Sequence, residues 1–124
     1  MKDNRPVNLD FTTFKLPLPA ITSILHRISG GFLFIGLALL LYLLDQSLES
    51  AEGFARVTEW LGNPLVKLVT WAVLAALLYH LFAGIKHLVM DLGIGETISG
   101  GVLGARLVIA ASLVAIVAAG VWIW

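Results

Sequence analysis

Apolar and charged positions in this chain are segregated into blocks instead of being interleaved. An uncharged stretch, Ile28 to Leu44, lies between Arg27 and Asp45. A second, Leu68 to Ile85, lies between Lys67 and Lys86, and a third runs from Leu107 to Trp124. They are 17, 18 and 18 residues long; a helix crosses the hydrocarbon core with about 20 residues, the range being roughly 17–25. Each run reaches that length once its flanking side chains snorkel. The pattern predicts an all-α membrane protein with three transmembrane helices that form part of a multi-subunit helical bundle. The helices are expected at about residues 19–46, 64–92 and 104–124, as one domain over 19–124 that follows an N-terminal arm over 1–18. Pro17 and Pro19 suit the start of the first helix, because proline is tolerated in a first turn. Gly93, Gly95, Gly100 and Gly101 are expected to form the turn into the last helix. There, Ala111, Ala115 and Ala119 make an i, i+4 stripe that allows close helix approach.

Composition sharpens this picture. Hydrophobic residues are 59% of the chain and charged ones 13%, with a mean hydropathy of +0.94. A soluble domain is about 45–50% apolar and roughly 25% charged, and so much apolar sequence also excludes disorder. The formal net charge is zero, which leaves no basic field for nucleic acid. With no cysteine, disulfides, iron–sulfur ligation and thiol catalysis are excluded. Lys2, Arg5, Lys15, Arg27, Lys86 and Arg106 fall on one side of the three runs, and Arg56 and Lys67 on the other. That bias predicts a cytoplasmic N-terminus and an outer C-terminus, where Trp122 and Trp124 suit the interface. The first residues contain Asp3 and Asp10 and no apolar core, so they are expected to remain as a cytoplasmic arm. Glu49, Glu52 and Glu59 are assigned to a solvated, partly helical outer connection, and Lys67 and Lys86 to interface anchoring. Three helices leave no room for a soluble catalytic domain, so no catalytic residue is assigned and any enzymatic chemistry requires partner subunits.

Ionisable groups in or at the rim of a span are functional candidates, and all three histidines are such groups. At 100° per residue, His80, Gly84, His87 and Asp91 fall within about 60° of one another on a helix. Such a stripe suits haem, with His80 as an axial imidazole, Gly84 clearing space for the macrocycle and polar groups at the rim for the propionates. The alternative is that His80 hydrogen-bonds a neighbouring helix and Gly84 is a packing contact. A second cluster is Ser23, His26, Arg27 and Gly30. Ser23 and Arg27, one turn apart, suit a carbonyl that gains negative charge on reduction, as a quinone does; the alternative is an N-cap serine beside a snorkelling arginine.

The segments RPVNLD (Arg5 to Asp10), SILHRISG (Ser23 to Gly30) and HLFAGIKHLVMDLG (His80 to Gly93) resemble the cytochrome b subunit of succinate dehydrogenase, in its proteobacterial form. The resemblance rests on two signature regions, S-x-x-H-R-x-[ST] and H-x3-[GA]-x-R-H-x-x-x-D-x-[GA], and covers essentially the whole chain. It implies His80 as the axial ligand of haem b, Ser23 and Arg27 as quinone-site residues, and His26, Arg27 and His87 as haem-propionate or rim contacts. It further implies ubiquinone as substrate, a second small membrane anchor subunit that supplies the other haem ligand, an iron–sulfur subunit, a flavoprotein subunit and a bacterial inner membrane. Lys86 stands where the family usually has arginine; it keeps the charge but not the bidentate fork, which weakens the direction of any contact to a propionate or a phospholipid headgroup. The competing readings fare less well. A dihaem cytochrome needs four deep histidines, and a transporter needs an intramembrane carboxylate or a broken helix. A non-catalytic scaffold or a fumarate reductase anchor remains the alternative.

Overall fold

A computed structural model of the protein describes residues 6, 7, 9, 10 and 12–124. Lys2, Asp3, Arg5 and Asn8, with part of the RPVNLD segment, lie outside the described residues. Among the described residues the structure is entirely helical: α1 (Leu18–Glu49), α2 (Ala51–Gly62), α3 (Pro64–Asp91) and α4 (Ile98–Ile123). α1, α3 and α4 are each long and apolar enough to cross a membrane.

Local chemistry sets the boundaries. Pro17 is the N-cap of α1 and Pro19 occupies its first turn. Ahead of it, the Thr12 hydroxyl and backbone N–H both donate to the Asp10 carboxylate, at 2.7 and 3.0 Å. These bonds hold that carboxyl below its ordinary range. The connection that carries Glu49, Glu52 and Glu59 is more helical than the pattern of charges implies. Ser50 interrupts the helix and its hydroxyl accepts from Gly53 N at 3.0 Å, starting α2 as a separate amphipathic helix. Gly53 is required at that corner, because a Cβ would collide with the Gln46 carbonyl. Asn63 caps α3 through Leu65 N, ahead of Pro64.

The last helix begins at Ile98, earlier than the expected 104, because Thr97 caps it by accepting from Gly100 N at 3.1 Å. The glycine cluster therefore divides. Gly93 and Gly95 form the turn at φ +82° and +72°, a region that favours glycine. Gly100 and Gly101 are helical instead. Gly100 lets α4 press on the turn, since a Cβ there would lie 2.8 Å from Gly95 Cα.

α3 packs between α1 and α4, and the contacts run through small side chains. The buried positions are Thr22, Ser29 and Gly36 on α1, Thr70, Val73 and Ala83 on α3, and Gly101, Ala105, Val108, Ser112 and Gly120 on α4. Ala111, Ala115 and Ala119 are only half-buried, so the closely packed stripe of α4 lies beside the alanine stripe and not along it. Large apolar residues such as Phe34 (86% exposed) and Trp122 (82% exposed) point outward. A soluble bundle has the reverse arrangement; in a bilayer small residues make the helix contacts, because lipid is as apolar as leucine.

Candidate functional site

The three histidines meet at one end of the bundle, between the first half of α1 and the second half of α3. His80 Nδ1 lies 3.1 Å from the His26 carbonyl oxygen and 3.1 Å from Ser29 Oγ. Ser29 itself donates to the His26 carbonyl at 2.8 Å. A carbonyl can only accept, so Nδ1 carries the ring proton and Nε2 keeps its lone pair. Nε2 has no hydrogen-bond partner among the described residues. A metal-binding imidazole is held in this way, its second nitrogen donating to a carbonyl that fixes tautomer and ring angle.

Glycine makes this approach possible. A Cβ at Gly30 would sit 2.9 Å from His80 Cε1, too close for either to stay in place. His26 turns toward α3, and its Nε2 lies 3.5 Å from where a Gly84 Cβ would be. That is ordinary contact distance, so the glycine on which the His80 ring depends is Gly30. The His26 and His80 rings stack with centroids 4.0 Å apart and a 15° interplanar angle, and His87 meets His26 at 5.1 Å and 51°. Stacking covers a ring face but not its edge, where the Nε2 lone pair points. Among the described residues no three His, Cys, Asp or Glu side chains group to hold a bare metal ion. The donor set therefore suits a prosthetic group that takes a single imidazole from this chain, as haem iron does.

The second cluster is rearranged as well. His26 belongs with His80 and His87, whereas Ser23 is half-buried and Arg27 exposed. Ser23 is the sixth residue of α1 and not its cap, since Pro17 fills that place. Helical hydroxyls elsewhere bond to their own helix: Thr22 to Pro19 O at 2.9 Å, Ser47 to Leu44 O at 2.7 Å, Ser112 to Val108 O at 2.6 Å. Ser23 makes no such bond, and Arg27 forms no ion pair among the described residues, so both groups remain open to a ligand.

Two contributors are not singled out by the sequence pattern. Ser29 holds the His80 ring, and its signal is the terminal [ST] of the first signature region. Tyr79 donates to the Thr22 carbonyl at 2.8 Å and locks α3 to α1 beside Ser23; a tyrosine hydroxyl next to His80 in an apolar run is its signal.

Comparison with known proteins identifies the family. Residues 1–119 match the family described as succinate dehydrogenase/fumarate reductase transmembrane subunit. The chain is 50% identical to the succinate dehydrogenase cytochrome b556 subunit of Coxiella burnetii, covering 100% of both chains. It is 37% identical to the cytochrome b556 subunit of Paracoccus denitrificans, over 91% of this chain and 87% of that one. It is also 37% identical to the mitochondrial cytochrome b560 subunit of Bos taurus, over 77% of this chain and 58% of the relative. With histidines, glycines and spans in these places, and with a match over nearly its full length, the chain belongs to the succinate dehydrogenase/fumarate reductase transmembrane subunit family.

Proposed function

We propose that this chain anchors a succinate dehydrogenase in the membrane, holds haem b through His80 and lines the site where ubiquinone is reduced. The reading rests on one observation above all: His80 Nδ1 is committed to the His26 carbonyl and Ser29, which leaves Nε2 free as a donor to iron. When bound, haem supplies a one-electron redox centre inside the bilayer. His80 lies deeper in its span than His26 and His87 lie in theirs, so a haem held by two histidines would take the other one from a second small membrane subunit. His26, stacked on His80, and His87 lie toward the rim, where propionates need polar partners. Ser23 and Arg27 open on the same end of α1. There the serine hydroxyl donates to a quinone carbonyl and the guanidinium favours the negative charge that builds up on it. Quinone becomes quinol by taking up two electrons and two protons; the electrons arrive from an iron–sulfur subunit that a flavoprotein subunit supplies.

His80→Ala in the assembled complex is expected to abolish the low-spin b-type spectrum or convert it to high spin. An unchanged low-spin spectrum would move the ligand elsewhere. The distribution of lysine and arginine supports a cytoplasmic N-terminus in a bacterial inner membrane. A C-terminal alkaline phosphatase fusion should then be active; an inactive fusion together with a bright C-terminal green fluorescent protein fusion reverses the topology.

A further inference from the structure

On the face of α3 away from the histidines, a cleft of about 360 Å³ opens between α3 and α4 beneath the Gly93–Gly95 turn. Its walls include Phe82, Val89, Leu103 and Leu107, and Lys86 is its one charged residue among the described residues. The Lys86 stem lies along Gly104: a Cβ there would stand 3.3 Å from Lys86 Cε and 3.5 Å from Cγ. Among the described residues the ammonium forms no ion pair and no carboxylate lines the cleft.

We propose that this cleft seats one acyl chain of an anionic glycerophospholipid, whose phosphate pairs with Lys86. Three observations select this occupant. Lys86 is turned about 120° from His80 around α3 and packs on α4, so it faces away from the imidazole cluster and any propionate there. The cleft opens on the surface of this chain's spanning helices, near the end of α3, which puts a cation at headgroup depth over an apolar channel. Gly104 fixes the lysine stem against α4, so that charge and channel belong to one site. A zwitterionic headgroup presents its own ammonium to Lys86, and an anionic one does not.

The test uses the whole complex in phosphatidylethanolamine vesicles, with a trace of phosphatidylglycerol carrying a photoreactive diazirine at the end of one acyl chain. After illumination, label should fall on peptides within residues 82–111 of this chain. Unlabelled phosphatidylglycerol should displace it and phosphatidylcholine should not. Lys86→Gln should reduce labelling about fivefold, matching the contribution of one basic residue near a membrane surface. Lys86→Arg should retain it, and Arg106→Gln, which removes a cation outside the cleft lining, should leave it unchanged. Equal competition by phosphatidylcholine in the wild-type complex overturns the proposal, as does wild-type labelling in an assembled Lys86→Gln complex. So does label confined to another subunit, which would mean that protein covers the cleft.

Discussion

The two ends of the bundle use polar groups differently. At the end holding His80, polar atoms of α1 and α3 meet each other and still leave capacity unused. Among the described residues, His80 keeps a free Nε2, Ser23 a free hydroxyl and Arg27 an unpaired charge. At the opposite end several polar and aromatic groups serve packing between helices. Trp71 Nε1 donates to the Ile116 carbonyl at 2.9 Å. Its ring fills the space left by Gly120, where a Cβ would lie 3.0 Å away. Tyr42 stacks on Trp60 at 6.4 Å, and Lys67 Nζ lies 5.5 Å from the Trp124 ring. Thr70 differs from these, since its buried Oγ1 has no partner among the described residues. Polar residues in a membrane span therefore do not announce function by being polar. What distinguishes the histidine end is the lone pair, hydroxyl and charge left over after the helices are joined.

Substitutions at the histidine end should alter chemistry, and those at the other end stability alone. The largest effect after loss of His80 is expected at Ser23. Ser23→Ala in an assembled, haem-replete complex should lower quinone reduction by about 10²–10³, as loss of one donor does at oxyanion-type sites. Succinate oxidation by an artificial dye should survive. Arg27→Leu should behave in the same direction. Wild-type quinone turnover with an unchanged KM in Ser23→Ala would remove the serine from the site.

Gly30→Ala comes next. The new methyl has to displace the His80 ring, and disturbing a ligand's support typically weakens metal binding about 10–100-fold. Haem content per complex and the low-spin signature should fall together; a normal spectrum would show that the ring approach is not required. The smallest effects belong to the opposite end. Trp71→Phe should destabilise the complex by about 1 kcal/mol through one lost hydrogen bond, measured by thermal unfolding, with no spectral change. Thr70→Val should be neutral or slightly stabilising, since it removes a hydroxyl that bonds to nothing among the described residues. A redox or quinone phenotype in either variant would erase the contrast between the two ends.

Much of this molecule is legible in its amino-acid sequence. Three uncharged runs bounded by charges require three spans, because residue count and helical rise fix what crosses a bilayer. The signature regions single out Ser23, His26, Arg27, His80 and His87 from residue type and spacing. The pairing of these residues is not legible there. Sequence spacing reports only which side chains share a face of one helix, and the decisive contacts join α1 to α3 across 51 and 54 residues of chain. Hence spacing groups His26 with Ser23 and Arg27, although it stacks on His80. For the same reason it does not reveal that the His80 ring depends on Gly30 of the facing helix. Whether Ser23 is a cap or an open donor likewise depends on where α1 begins, which Pro17 and Pro19 decide. Hydropathy and residue identity determine the spans and the candidate groups. Tertiary structure alone determines which nitrogen, hydroxyl and cation remain unused, because that depends on which backbone carbonyls the neighbouring helix brings within hydrogen-bond reach.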